Sequence, residues 1–185
     1  MVDTYDAVVL AGGSARRLGG IDKPSLDVGG RTLLDRVLDA VSGAGTVVAV
    51  GPERRTRRPV TWTREEPAGG GPVAALAAGL AHVTVDTVVV VAGDLPFLTA
   101  AAVSALRDAV GSRDGALLVD AAGRDQLLVG AWRRAALAAA LPPEPAGARL
   151  GAMLHSLDVA RLSLPGEPWF DCDTDDDLTT ARGRA

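Results

Sequence analysis

Residues able to do chemistry gather in three stretches of the sequence. The first is "VVLAGGSARRLGGIDKP" (8–24), in which an apolar run stops at Gly12 and Gly13 and is followed by Arg16, Arg17 and Lys23. Glycines leave the backbone bare, so it can turn sharply and point N–H groups at an anion. Three cations nearby suit a polyphosphate, the alternative being a Gly-rich turn with solvated arginines. The usual phosphate motifs are not the explanation. Lys23 lies between Asp22 and Pro24, whereas a P-loop needs Gly-Lys followed by Ser or Thr, and no G-x-G-x-x-G is present.

The second stretch is "VVVVAGDLPF" (88–97), where Asp94 directly follows a very apolar run. A carboxylate there is a metal ligand or a helix cap. Thr99 is better placed to cap, so Asp94 is read as a ligand for Mg2+, which in phosphate sites takes one or two carboxylates plus phosphate oxygens. The third is "WFDCDTDDDL" (169–178), with five aspartates in seven positions. Asp171 and Asp173 alternate along an extended chain, so both can face one side and make a second contact to metal or substrate. Thr174 is expected to cap a final helix, with Asp175, Asp176 and Asp177 as partners of its dipole. "TREEPAGGGPVAAL" (63–76) shapes a pocket for a base or second substrate, or is a surface loop. His82, His155 and Cys172 stand alone and are read as structural.

These stretches need elements to position them. "YDAVVL" (5–10), "TVVAVG" (46–51), "PVTWT" (59–63) and "DTVVVVAGD" (86–94) read as strands, as do 115–119, 126–132 and 159–164. Helical periodicity or composition marks 31–41, 71–83, 100–110, 133–141, a short helix near 148–156, and a last helix from about 175. Strands that are apolar throughout, separated by helices, imply an α/β fold with a mostly parallel central sheet covered on both faces. Ligands bind such sheets at the carboxyl ends of strands, where "AGG" and "GDLP" fall. "PERRTRRP" (52–59) is basic and reads as a solvated loop.

The bulk properties narrow the function. A length of 185 residues favours a single domain, 1–185. The formal net charge of -4 speaks against nucleic acid as a partner. One cysteine excludes an internal disulfide framework and a Cys-cluster metal site. No run reaches the roughly 18 apolar residues of a membrane span, and the acidic N-terminus lacks a signal-peptide pattern, so the expectation is a cytoplasmic protein.

The assembled motifs resemble one family, the molybdenum cofactor guanylyltransferases. "LAGGSARRLGGIDKP" is similar to their L-A-G-G-x-x-x-R-M-G-x-x-D-K signature, "EEPAGGGPVAAL" to their G-P-L-A-G region, and "GDLPFLT" to their D-x-P-[FY]-[LI] segment. "GRDQLLVGAW" resembles their Q-P-L-x-A-x-[YL] strand, and "FDCDTDDDL" their N-x-N-T-P-E-[DE]-L ending. Five segments in one order cover almost the whole chain.

The resemblance implies a three-layer Rossmann-like nucleotidyltransferase fold. It also implies transfer of GMP from GTP to the phosphate of molybdopterin, with or without molybdenum, with Mg2+ as cofactor and release of pyrophosphate. Molybdoenzymes or their chaperones would be downstream partners. Carried over by position, Leu10, Ala11, Gly12 and Gly13 would hold the nucleotide, with Gly71 also among the binding residues. Arg17 and Lys23 would neutralise phosphates, Asp94 would bind Mg2+ with Asp173 as second ligand, and Glu66 would lie near the purine.

The chain departs from the family pattern at Leu18 for Met, Leu127 for Pro, Asp171 and Asp173 for asparagines, and Asp175 for Pro. Rival readings are a CTP-using enzyme on the same acceptor, a guanylyltransferase for a phospholactate-like acceptor, and a nucleotide-binding accessory protein. Such transfer needs no protein nucleophile, because the acceptor phosphate is already an anion and catalysis consists of positioning and charge stabilisation.

Overall fold

The fold is that of a computed structural model, which describes residues 4–12 and 22–184. Its centre is a seven-stranded sheet in the order β5-β4-β1-β6-β8-β7-β9. The strands are β1 (Tyr5–Leu10), β4 (Val47–Val50), β5 (Thr61–Thr63), β6 (Thr87–Ala92), β7 (Gly115–Val119), β8 (Asp125–Arg133) and β9 (Val159–Leu162). A two-stranded hairpin, β2 (Asp27–Val28) and β3 (Arg31–Thr32), stands apart. The helices are α1 (Leu33–Ala40), α2 (Pro72–Leu80), α3 (Ala100–Val110), α4 (Arg134–Ala140), α5 (Leu150–Leu154) and α6 (Asp175–Gly183).

The continuous apolar runs have a direct structural cause. All six residues of β1 are buried, since β1 lies between β4 and β6 with helices on both faces. Its side chains alternate between the two layers. Ala7 and Val9 join Leu34, Leu38 and Leu106 under α1 and α3, while Val8 and Leu10 join Leu76, Leu80, Leu137 and Met153 under α2, α4 and α5. Helix–sheet–helix layering follows, as the strand pattern implies. A smaller cluster of Val28, Leu33, Cys172, Leu178 and Ala181 docks α6 on the β2–β3 hairpin, which gives the buried Cys172 a packing role.

Four of the six pairings in the sheet are parallel. Strand β8 is the exception, running antiparallel to both β6 and β7. Its reversal is made at Asp120, whose Oδ1 accepts the backbone N–H groups of Ala122 (2.8 Å) and Arg124 (2.9 Å). Consequently the start of β8, with Gln126, arrives at the same end of the sheet as the end of β6.

One expected boundary moves. Arg31 and Thr32 pair with Val28 and Asp27 rather than opening a helix, because Gly29-Gly30 forms the two-residue turn of a hairpin. Helix α1 starts at Leu33, where Thr32 Oγ1 accepts the N–H of Asp35 at 3.0 Å. At the opposite end of the sheet, buried Asp6 accepts the N–H groups of Thr46 (2.8 Å) and Thr84 (3.1 Å), fastening the entries to β4 and β6. No helix among the described residues is long and apolar enough to cross a membrane.

Candidate active site

The carboxyl ends of β1, β4 and β6 lie side by side, with Leu10 in register with Val50 and Ala92. The chain leaves these strands through Ala11-Gly12, Gly51 and Gly93-Asp94. Backbone bonds hold the exits together: Ala11 N–H donates to Val50 O and Gly93 N–H to Leu10 O, each at 2.9 Å. Gly51 has to be glycine. Its φ is +143°, and a Cβ there would lie 2.7 Å from the backbone N of Gly12. Any side chain would push the end of β1 away.

These exits floor a cleft of about 780 Å³, a size typical of small-molecule sites. On the β1–β5 side it is lined by Leu10, Gly12 and Glu65, with Gly69, Gly71 and Pro72 following, and on the β8 side by Gln126, Leu128 and Val129; Leu95 and Trp169 also line it. Lys23, Asp94, Asp171 and Asp173 line it as an interacting charged group. The first side has bare backbone and the start of α2, where Gly71 is the N-cap residue. The second has apolar side chains and an amide, and Trp169 is the only aromatic residue among the described lining.

The charged middle is electrostatically unusual. Lys23 is only 16% exposed and donates through Nζ to Asp173 Oδ1. The Asp94 carboxyl is pushed up to about 6, first by burial and then by the carboxylates of Asp171 and Asp173, with the Lys23 ammonium opposing. Asp171 is raised too, by burial and by Asp173. Between these acids the Cys172 thiol is pushed up to about 12, chiefly by burial, so it stays protonated and inert. Carboxylates that repel one another and are partly stripped of water form a site that gains from an added cation.

The capping alternatives are decided by hydrogen bonds. Thr99 Oγ1 accepts the N–H of Ala102 at 3.1 Å, so Thr99 caps α3 and Asp94 does not. Thr174 and Asp177 form a reciprocal capping box on α6, leaving Asp171 and Asp173 to the cleft. Of the sequence candidates, Leu10, Gly12, Lys23, Gly71, Asp94 and Asp173 line this one cleft. Ala11 is wholly buried behind it. Gly13 and Arg17 lie outside the described residues.

Glu66 is exposed and does not line the cleft, whereas its neighbour Glu65 does. Glu65 Oε1 accepts the N–H of Gly69 at 3.0 Å, which turns its carboxylate inward along the glycine segment. Two adjacent acids in a loop carry no sequence signal for which one turns in. Trp169 and Leu128 line the cleft as well, although apolar residues near strands read as core.

The donor set suits a hard divalent ion, because Asp94, Asp171 and Asp173 offer only carboxylate oxygens. Among the described residues no group of three His, Cys, Asp or Glu side chains is gathered tightly enough to cage a metal by itself.

Comparison with known proteins agrees with this architecture. Residues 7–159 match the family model of the MobA-like NTP transferase domain. A molybdenum cofactor guanylyltransferase of Bradyrhizobium sp. (strain ORS 278) is 31% identical over 94% of this chain and 90% of its own length. One from Shewanella sp. (strain MR-4) is also 31% identical, over 67% of this chain and 66% of its own length. Among solved structures, molybdopterin-guanine dinucleotide biosynthesis protein A from Archaeoglobus fulgidus superposes with a TM-score of 0.75 at 22% identity, covering 97% of both chains, which bears on the fold alone. With a matching family model over most of its length and the strand-exit cleft that its fold implies, the chain belongs to the MobA-like NTP transferase domain family.

Proposed function

We propose that the protein transfers GMP from GTP to the phosphate of molybdopterin, with or without molybdenum, and releases pyrophosphate. The observation that carries this reading is the joining, in one cleft, of the bare backbone after β1, the Lys23 ammonium and the Asp94–Asp171–Asp173 carboxylates. An acceptor phosphate oxygen attacks the α-phosphorus. The bond to the α–β bridging oxygen breaks, and pyrophosphate leaves with the electron pair. The attacking group is already an anion, so no protein base is required.

The residues divide the work by position. Gly12 and the start of α2 at Gly71 receive the nucleoside end, and Glu65 supplies an acceptor for a base N–H. Lys23, with Arg17, takes the phosphates. Asp94, with Asp171 or Asp173, would hold Mg2+, which when bound neutralises charge on the triphosphate. Gln126, Leu128 and Trp169 receive the acceptor. GTP is drawn from the cytoplasm, where we place the reaction.

The test is calorimetric titration of the protein with GTP, CTP and ATP, each with Mg2+, followed by a pyrophosphate-release assay with molybdopterin. Preference for GTP and acceptor-dependent release are expected. Preference for CTP assigns the protein to cytidylyl transfer, and GTP binding without release assigns it another phosphorylated acceptor or an accessory role.

A further inference from the structure

The connection between β4 and β5 carries Arg54, Arg55, Arg57 and Arg58, and its sequence reads as a solvated loop. It is an exposed loop at Arg55, Arg57 and Arg58, and it is tethered as well. Arg57 N–H donates to Asp35 Oδ1 at 2.9 Å, and its guanidinium donates to Gly30 O at 2.9 Å. Arg58 Nε donates to Asp39 Oδ1 at 2.7 Å. These contacts strap the loop to α1 and the β2–β3 turn. Arg54 points elsewhere. Its side chain is only 10% exposed, and its Nε donates to Asp22 Oδ2 at 2.6 Å. A second guanidinium nitrogen donates to Asp22 Oδ1, and the third donates to Pro52 O at 2.9 Å.

A two-point fork on a carboxylate sets direction as well as distance. Asp22 is covalently next to Lys23 and is the first described residue after the glycine-rich stretch. It also accepts from Ser25 Oγ across the short 3-10 turn Lys23–Ser25. The Arg54 hydrogen bond holds its carboxyl below the usual range, so it is a full anion at neutral pH. Left unpaired, that anion would compete for the Lys23 ammonium, which already faces Asp94, Asp171 and Asp173.

We infer that Arg54 is a positioning residue for phosphate binding: by clamping Asp22 it anchors the backbone at Lys23 and keeps the adjacent carboxylate away from the Lys23 ammonium. The inference rests on the nucleotide reading of the cleft. Arg54 itself does not line the cleft. Its effect falls on the phosphate end of the ligand and not on the base end.

The test is calorimetric titration with GTP plus Mg2+ and, separately, with guanosine. It uses the wild type, Arg54→Ala, Arg54→Lys, Asp22→Asn and the double variant Arg54→Ala/Asp22→Asn. Arg54→Ala is expected to weaken GTP roughly tenfold with guanosine unchanged. Lysine restores only part, since it lacks the fork. Asp22→Asn breaks the same clamp, so the double variant loses no more than Arg54→Ala alone.

Unchanged GTP affinity, equal losses for GTP and guanosine, or additive losses in the double variant overturn the inference. Should Arg54→Ala fail to fold, Arg54→Lys and Asp22→Asn carry the same comparison. If the wild type prefers CTP, the GTP reading falls while the same series with CTP and cytidine still decides the clamp. Binding of no triphosphate overturns both.

Discussion

The ammonium of Lys23 donates a hydrogen bond to the carboxylate of Asp173, 150 residues further along the chain. The contact spans the cleft, from the turn after the glycine-rich stretch to the segment before α6. Lys23 is the less exposed partner, at 16% against 48% for Asp173. On the proposed reading, a triphosphate takes the ammonium from Asp173 and leaves that carboxylate to share a cation.

Replacing Lys23 by Ala should weaken GTP binding by about 1.5–3 kcal/mol, the typical worth of a charge-assisted contact. Asp173→Asn removes the competing anion, so Mg2+-free GTP should bind it at least as tightly as the wild type. Titration with and without Mg2+ checks both. Weaker Mg2+-free binding by Asp173→Asn would contradict the exchange of partners.

Asp94 links the chemistry to stability. Its carboxyl is raised from 3.8 to about 6 in the folded protein, so the fold holds this proton more tightly than the unfolded chain does. Ionised Asp94 therefore costs stability at pH 7, and the cost fades as pH falls through about 6 towards 4. The shift corresponds to at most about 3 kcal/mol. Asp94→Asn should abolish turnover and yet raise the thermal midpoint of the metal-free protein by several degrees at pH 7. The gain should shrink at pH 5. A variant no more stable than the wild type at pH 7 would refute burial as the origin of the shift.

Trp169 is the only aromatic residue among the described lining of the cleft. Trp169→Ala should raise KM for a pterin-bearing acceptor about tenfold, in line with about 1–1.5 kcal/mol for one aromatic stacking contact, with KM for GTP unchanged. Trp169→Phe should recover most of the loss. A rise in KM for GTP would place the base, not the acceptor, against this ring.

Gly51→Ala should cost about 1–3 kcal/mol in urea unfolding, because the new methyl lies 2.7 Å from Gly12 N. It should also weaken GTP binding, since the exit of β1 must move. Gly123→Ala is the control. That glycine has a φ of +76° but no atom within 4 Å of the added carbon, so only local strain is introduced and GTP affinity should hold. Equal effects on GTP at the two positions would show that crowding at Gly51 is not what shapes the site.

Several features were legible in the sequence because a local rule governs them. The apolar runs of β1 and β6 could only be central strands, and burial on both faces is what such runs require. Thr99 and Thr174 announced their helices by capping chemistry, which acts over three residues. Asp94 after β6 and the glycines after β1 fell at strand ends, where an open sheet puts its ligands.

Other features depended on what the fold brings together. The antiparallel course of β8 was hidden, since an apolar run does not record its direction, and only that course delivers Gln126 to the cleft. The choice of Glu65 over Glu66 turned on one hydrogen bond to Gly69. The basic stretch 52–59 is exposed as its composition implies, but its ion pairs were hidden because the acidic partners, Asp22, Asp35 and Asp39, lie in other segments. Periodicity and capping are local energies and are written in neighbouring residues. Strand direction, carboxylate clustering and ion pairing join residues tens to more than a hundred positions apart, and the packed tertiary structure decides them.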